Sequence, residues 1–196
     1  MKKTTLSAVL LSGSLLASSH GFPGPAAAET GSGSSTVQQA ATATAVYPDM
    51  DHVGFVVKDA GKAVQDTLTR FGLAQAKGNC ITGHVTGQYG GKNTSYSAKF
   101  CMVEIGDKRL EFIEPIGSDP SPYLDTLRAK GDTVHHLAFM VPSIDARLDL
   151  DRKKNPALNV VQDARLSEVG RYVYVDGIVP GTLVEYGQPA PQAPHQ

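Results

Sequence analysis

Between Asp51 and Gly187 the chain alternates short apolar runs of strand type with two amphipathic stretches of helical period. Residues 52–57 are rich in Val and Phe and predict a strand. Asp59 then opens a helix. Ala60, Ala63, Val64, Thr67, Leu68 and Phe71 recur at three- and four-residue spacing, and Gly72 supplies the stop. Residues 73–95 are glycine-rich and polar. They predict only a short strand around Ile81 to Val85, followed by a loop at 86–94 suited to closing as a lid. Ser97 to Ile105 and Lys108 to Ile116 read as a hairpin turned at Gly106-Asp107.

After a turn-rich crossover (117–122) and a short helix from Tyr123 to Lys130, the order repeats. Val134 to Val141 is a strand, and Ser143 caps a helix from Ile144 to about Lys154. Asn159 to Asp163, Gly170 to Val175 and Thr182 to Tyr186 are three further strands. The internal period, about 80 residues, is too long for a solenoid repeat and reads as a duplicated module. The class is α+β, built from two βαβββ modules at about 51–116 and 134–187.

Within this repeat lies a chemical one. His52-Val-Gly-Phe-Val-Val57 and His136-Leu-Ala-Phe-Met-Val141 each place a histidine at the head of an apolar strand. Leu110-Glu111-Phe112 and Val184-Glu185-Tyr186 each interrupt a later strand with a carboxylate. Charged groups inside apolar strands are costly unless paired or bound to metal. One strand-edge histidine is ordinarily bonded to backbone, but two at equivalent points of a duplication read as ligands. The four residues can converge on one divalent ion. Pleat geometry sharpens this for Glu111. With Gly106-Asp107 as the turn, Met102 faces Glu111, and Glu111 shares a face with Phe100, Met102 and Arg109. Leu110 and Phe112 share the opposite face with Cys101 and Val103, under the helix. By the same alternation His135 points away from His136 and reads as structural or as a contact behind the ligands. Arg171 and Tyr172, on the penultimate strand, are candidate substrate-binding residues, Arg171 for an anionic group.

The ends of the chain read differently. Lys2 and Lys3, the apolar run Leu6 to Ala17 and Ala26-Ala27-Ala28 form a secretory signal over residues 1–28, implying export to a periplasm or the exterior. Residues 29–46 are small and polar and read as a flexible linker; 188–196 read as a disordered tail. The folded part is 47–187, one domain. A net charge of −1 without a basic cluster gives no nucleic-acid footprint, and the short apolar run gives no membrane span. Cys80 and Cys101 either pair, as an oxidising compartment allows, or remain two inert thiols.

These segments resemble the vicinal oxygen chelate superfamily, whose members include glyoxalase I, methylmalonyl-CoA epimerase, extradiol dioxygenases and bleomycin-resistance proteins. The resemblance is carried by Asp51-His52-Val53-Gly54, Arg109-Leu110-Glu111-Phe112-Ile113-Glu114-Pro115, His135-His136-Leu137-Ala138-Phe139 and Leu183-Val184-Glu185. It implies a half-open barrel around one divalent metal (Zn, Ni, Co or Mn) held by His52, Glu111, His136 and Glu185. It also implies a small-molecule substrate that chelates through vicinal oxygens, and it allows a homodimer. In the glyoxalase branch a ligand carboxylate also serves as base, here Glu185 or Glu111, for lyase or isomerase chemistry beside a carbonyl. The epimerase branch carries its base on the third strand, which falls here near Phe100, where no residue takes a proton. Two alternatives follow from the same resemblance: an Fe(II) ring-cleaving dioxygenase, which needs only two histidines and one carboxylate, and a non-catalytic binding or resistance protein.

Overall fold

A computed structural model describes residues 49–190, apart from Glu168 and Ile178. The signal, the linker and residues 191–196 lie outside the described residues. In chain order the described elements are β1 (Met50–Val56), α1 (Ala60–Phe71), β2 (Gly78–Tyr89), β3 (Lys92–Ile105), β4 (Lys108–Ile116), α2 (Pro122–Lys130), β5 (Thr133–Met140), α3 (Ile144–Lys154), β6 (Val160–Leu166), β7 (Gly170–Asp176) and β8 (Leu183–Pro189). The duplication is therefore β1-α1-β2-β3-β4 and β5-α3-β6-β7-β8, with α2 between.

Local chemistry fixes the helices. The Asp59 carboxylate caps α1 by accepting from Lys62 N at 2.8 Å, and Gly72 ends it in the left-handed conformation. Ala60, Val64 and Leu68 line one face of α1 and pack on Cys101, Val103 and Phe112. Each such Val or Leu contributes about 1.5–3 kcal/mol when fully buried. Ser121 caps α2, with Pro122 at its first turn, and Ser143 caps α3.

The strands form a closed barrel in the order β1-β4-β3-β2-β6-β7-β8-β5. Inside each module the first and last strands are parallel neighbours, β1 with β4 and β5 with β8. The modules meet twice, through antiparallel pairs β1·β5 and β2·β6. The second pair joins the edges that a half-open barrel would leave apart. The β3–β4 register places Ile105 opposite Lys108 and Met102 opposite Glu111, as the turn predicts.

The largest departure from the sequence pattern is β2. The glycine-rich stretch is not a lid. It is a twelve-residue strand paired with β3 along its whole length and turned at Gly90-Gly91, both at positive φ. Its glycines answer a packing need. A Cβ on Gly83 would lie 2.3 Å from Leu166 Cδ1, and one on Gly87 would lie 2.2 Å from Asp163 O, because β6 crosses closely there. The expected tail is also shorter. Gln188 and Pro189 continue β8, and Ala190 N donates to Val169 O at 3.1 Å.

Cys80 and Cys101 sit directly opposite on β2 and β3 and form a disulfide across 21 residues of chain. The crosslink restricts the unfolded chain, which corresponds to about 3 kcal/mol for a loop of this length. Reduction should lower the unfolding free energy by that order. Denaturant titration with and without reductant measures it, and Cys80→Ala combined with Cys101→Ala should be insensitive to the reductant.

Candidate metal centre

The β1·β5 seam determines the site. Across it Gly54 faces His136 and His52 faces Ala138. In the outer neighbours Glu111 on β4 lies beside Gly54, and Glu185 on β8 lies beside Ala138. Each histidine thus faces the residue two places beyond the other, and each glutamate flanks that same residue. This exchange brings all four predicted ligands together from four strands.

Their ligand atoms lie within 4.8 Å of one another. His52 Nε2 is 3.2 Å from His136 Nε2 and 3.4 Å from Glu111 Oε2. His136 Nε2 is 3.4 Å from Glu111 Oε2 and 3.2 Å from Glu185 Oε2. The residues are nearly inaccessible, at 4%, 8%, 0% and 8% for His52, Glu111, His136 and Glu185. Gly54 makes the room. A Cβ there would fall 1.9 Å from His136 Cε1. The glycine of the His-Val-Gly motif is a cradle for the opposite imidazole.

Two bulges supply a second layer. The β1·β5 register slips between Met50 and His52 and again between Gly54 and Phe55. The extra residues are Asp51 on β1 and His135 on β5. A bulge breaks strict alternation, so consecutive side chains reach one side. Asp51 Oδ2 accepts from His52 Nδ1 at 2.7 Å and is also held by Arg109. His135 Nδ1 lies 3.0 Å from His136 Nδ1, its ring packed against Tyr123 and Tyr174. Strand alternation had sent His135 to the opposite face; the bulge turns it inward. Arg109, on the same face as Glu111, holds Asp51.

The carboxylates draw positive charge to the cluster. Burial opposes protonation of His52, yet the carboxylates of Asp51 and Glu111 prevail and push it up to about 10. Burial alone would raise Glu111, but His136 and His52 hold its carboxyl well below the usual range. Asp51 is also lowered, first by its hydrogen bond to His52. Burial, then the neighbouring His136, push His135 well below the ordinary imidazole value, so it is neutral. Two facing Nδ1 atoms share one proton. When His136 carries it, His136 Nε2 is a free lone pair aimed into the cluster, and His135 Nε2 bears the remaining hydrogen. That nitrogen is buried without a hydrogen-bond partner among the described residues. A buried donor left unpaired costs about 1–3 kcal/mol. Two imidazoles and two carboxylates, with Nδ1 atoms backed by acceptors, fit a divalent metal of the Zn, Mn, Co or Ni kind.

Beside the cluster opens a cavity of about 260 Å³, lined by His52, Glu111 and Glu185 together with Phe100, Met102 and Tyr172. Tyr172 stands where the sequence placed it. Arg171 lines the rim, but Asp163 holds its Nε and Nη2 at 2.9 and 2.7 Å, and Asp145 holds Nη1 at 2.8 Å. It is not a free anion receptor. No role at the site was assigned to Asp51 or Tyr123 from sequence. For Asp51 and the inward His135 the carrier of that information is a bulge in pairing, which a single strand's pattern does not display.

The sequence matches the family described as the Glyoxalase/Bleomycin resistance protein/Dioxygenase superfamily over residues 51–174. No curated protein matches it. Among solved structures, a hypothetical protein from Bacillus halodurans C-125 is 18% identical with a TM-score of 0.53, covering 75% of this chain and 98% of that one. Methylmalonyl-CoA epimerase from Mycobacterium tuberculosis is 21% identical with a TM-score of 0.53, covering 76% and 93%. That of Streptomyces coelicolor, in complex with 2-nitronate-propionyl-CoA, is 21% identical with a TM-score of 0.51, covering 74% and 96%. At these identities the likeness is one of fold.

Two substitutions test the geometry. Asp51→Asn should weaken metal binding by about 10- to 100-fold, the usual effect of removing a ligand's hydrogen-bonded carboxylate, read by chelator competition. Gly54→Ala should displace the His136 ring and lose metal stoichiometry while the far-ultraviolet circular dichroism stays that of the parent.

Proposed function

This chain belongs to the glyoxalase/bleomycin resistance protein/dioxygenase superfamily, and on that footing we propose that it is an exported, metal-dependent enzyme. It moves a proton at a carbon beside a carbonyl of a small substrate, as a glyoxalase-type lyase or isomerase. One observation carries the reading: Glu111 and Glu185 are the only carboxylates among the described residues lining the cavity, and both belong to the ligand cluster. The third-strand position that holds the epimerase base carries Phe100 here, with Met102 two residues on. Proton transfer therefore falls to Glu185 or Glu111.

A divalent ion bound at the cluster supplies a Lewis acid for two neighbouring substrate oxygens. The chain's residues do the rest. His52 and His136 are fixed from behind by Asp51 and His135, so their Nε2 atoms cannot turn away. Glu185 or Glu111 takes the proton from the substrate carbon and returns it, while Phe100 and Met102 keep water from that carbon. The export reading rests on the amino-terminal pattern and is supported by the Cys80–Cys101 disulfide, which suits an oxidising compartment.

Elemental analysis tests the premise first. About one equivalent of a transition metal is expected in the protein and none in the His52→Ala, His136→Ala double variant. Deuterium wash-in from heavy water at the carbon beside a carbonyl, followed by NMR over a panel of small hydroxyketones, tests the chemistry. Replacing the acting carboxylate, Glu111→Gln or Glu185→Gln, should slow exchange by about 10²-fold or more. Iron with oxygen uptake would move the reading to a ring-cleaving dioxygenase. Absence of metal after reconstitution would leave a binding protein.

A further inference from the structure

Charge of both signs surrounds the cavity, yet its positive charges are already committed. Arg171 uses Nε, Nη1 and Nη2 on Asp163 and Asp145, two carboxylates for one guanidinium. Arg109 is held by Asp51, which also serves His52. Several polar atoms in and behind the wall are also engaged. Tyr96 OH donates to Gln162 Oε1 at 3.1 Å, and Gln162 Nε2 donates to Tyr172 OH at 3.0 Å. With its own hydrogen so used, Tyr96 accepts from Tyr172 at 3.1 Å. Tyr123 and Tyr174 pair at 2.8 Å. Gln188 Oε1 accepts from Ile144 N at 3.0 Å. These hydroxyls are engaged with one another, and Tyr123, Tyr172 and Tyr174 are the phenols that line the cavity. Phe100, Met102, Met140, Leu166 and Val169 complete that apolar wall.

We infer that the cavity takes a small uncharged substrate, with paired oxygens at the His52–Glu111–His136–Glu185 cluster and an apolar, preferably aromatic, body against Phe100, Met102 and Leu166. The inference rests on the reading of that cluster as a metal centre. An acidic group on the body would reach Arg171 and Arg109 only in competition with Asp163, Asp145 and Asp51, which already hold them, and would face the Glu111 and Glu185 carboxylates. The cavity, at about 260 Å³, lies below the usual range for drug-sized ligands, which favours a single compact ring over a conjugate.

Three probes with one chelating head separate these terms on zinc-reconstituted protein, by isothermal titration. Acetohydroxamate carries the head alone, benzohydroxamate adds an apolar ring, and 4-carboxybenzohydroxamate adds a charge to that ring. Benzohydroxamate should bind about tenfold more tightly than acetohydroxamate, from burial of the ring. Its carboxylated analogue should bind at least about tenfold less tightly than benzohydroxamate. Phe100→Ala should erase most of the ring's advantage and leave acetohydroxamate unchanged. Phe100 is a core residue, so Met102→Ala, at a half-buried position, provides a second variant with the same expected direction. Equal or tighter binding of the carboxylated probe, lost in Arg171→Gln, overturns the inference. So does equal affinity for the two uncharged probes. Zinc content is measured on the same samples. Zinc present with unselective binding defeats this inference alone, whereas zinc absent defeats the metal-centre reading beneath it.

Discussion

The antiparallel seam between β1 and β5 is the constraint on which the rest depends. It is the contact that sets His52 against Ala138 and Gly54 against His136. A slip of one residue would reverse the side-chain faces and send each imidazole out of the barrel. The two bulges in this seam are equally specific, because they turn Asp51 and His135 toward the backs of the two ligand imidazoles. Glu111 and Glu185 then require only that β4 and β8 run parallel to their neighbours, as a strand-helix-strand-strand-strand module provides.

Much of this was legible in the chain. The helix bounds of α1 and α3 are written in Asp59, Gly72 and Ser143, whose side chains or left-handed backbone act locally. The β3–β4 register followed from a two-residue turn, and with it the face of Glu111. The ligand quartet was visible because duplication repeats it. What escaped was set by contacts between distant segments. Gly83 and Gly87 read as loop residues, since glycine alone does not reveal that β6 lies against them. His135 read as outward because alternation assumes an unbroken ladder. Arg171 read as free because Asp145, which neutralises it, comes from another element, 26 residues away.

The barrel also divides its polar groups by purpose. Near the cluster, two imidazoles and two carboxylates converge in a donor set that could hold a cation. Elsewhere in the interior, phenols and Gln162 close upon themselves, and burial raises Tyr96 to about 12 and Tyr123, Tyr172 and Tyr174 well above the ordinary phenol value. These groups stay neutral over the pH range in which proteins work. They hold the wall in place as uncharged groups. The disulfide stiffens the β2–β3 hairpin, whose β3 carries Phe100 and Met102 to the wall.

The unlike backing of the two histidines has a consequence for stereochemistry. A cage with perfect twofold symmetry would accept a molecule bearing two similar oxygens in either of two poses at equal free energy. Here one imidazole leans on a carboxylate anchored by Arg109, and the other leans on a neutral ring with an unpaired nitrogen. The two halves are therefore unequal in donor strength, and the poses are no longer degenerate. A gap of 1.4 kcal/mol between them is a tenfold preference. The ancestral repeat is kept in the backbone and abandoned in the second layer, which gives the site a left and a right.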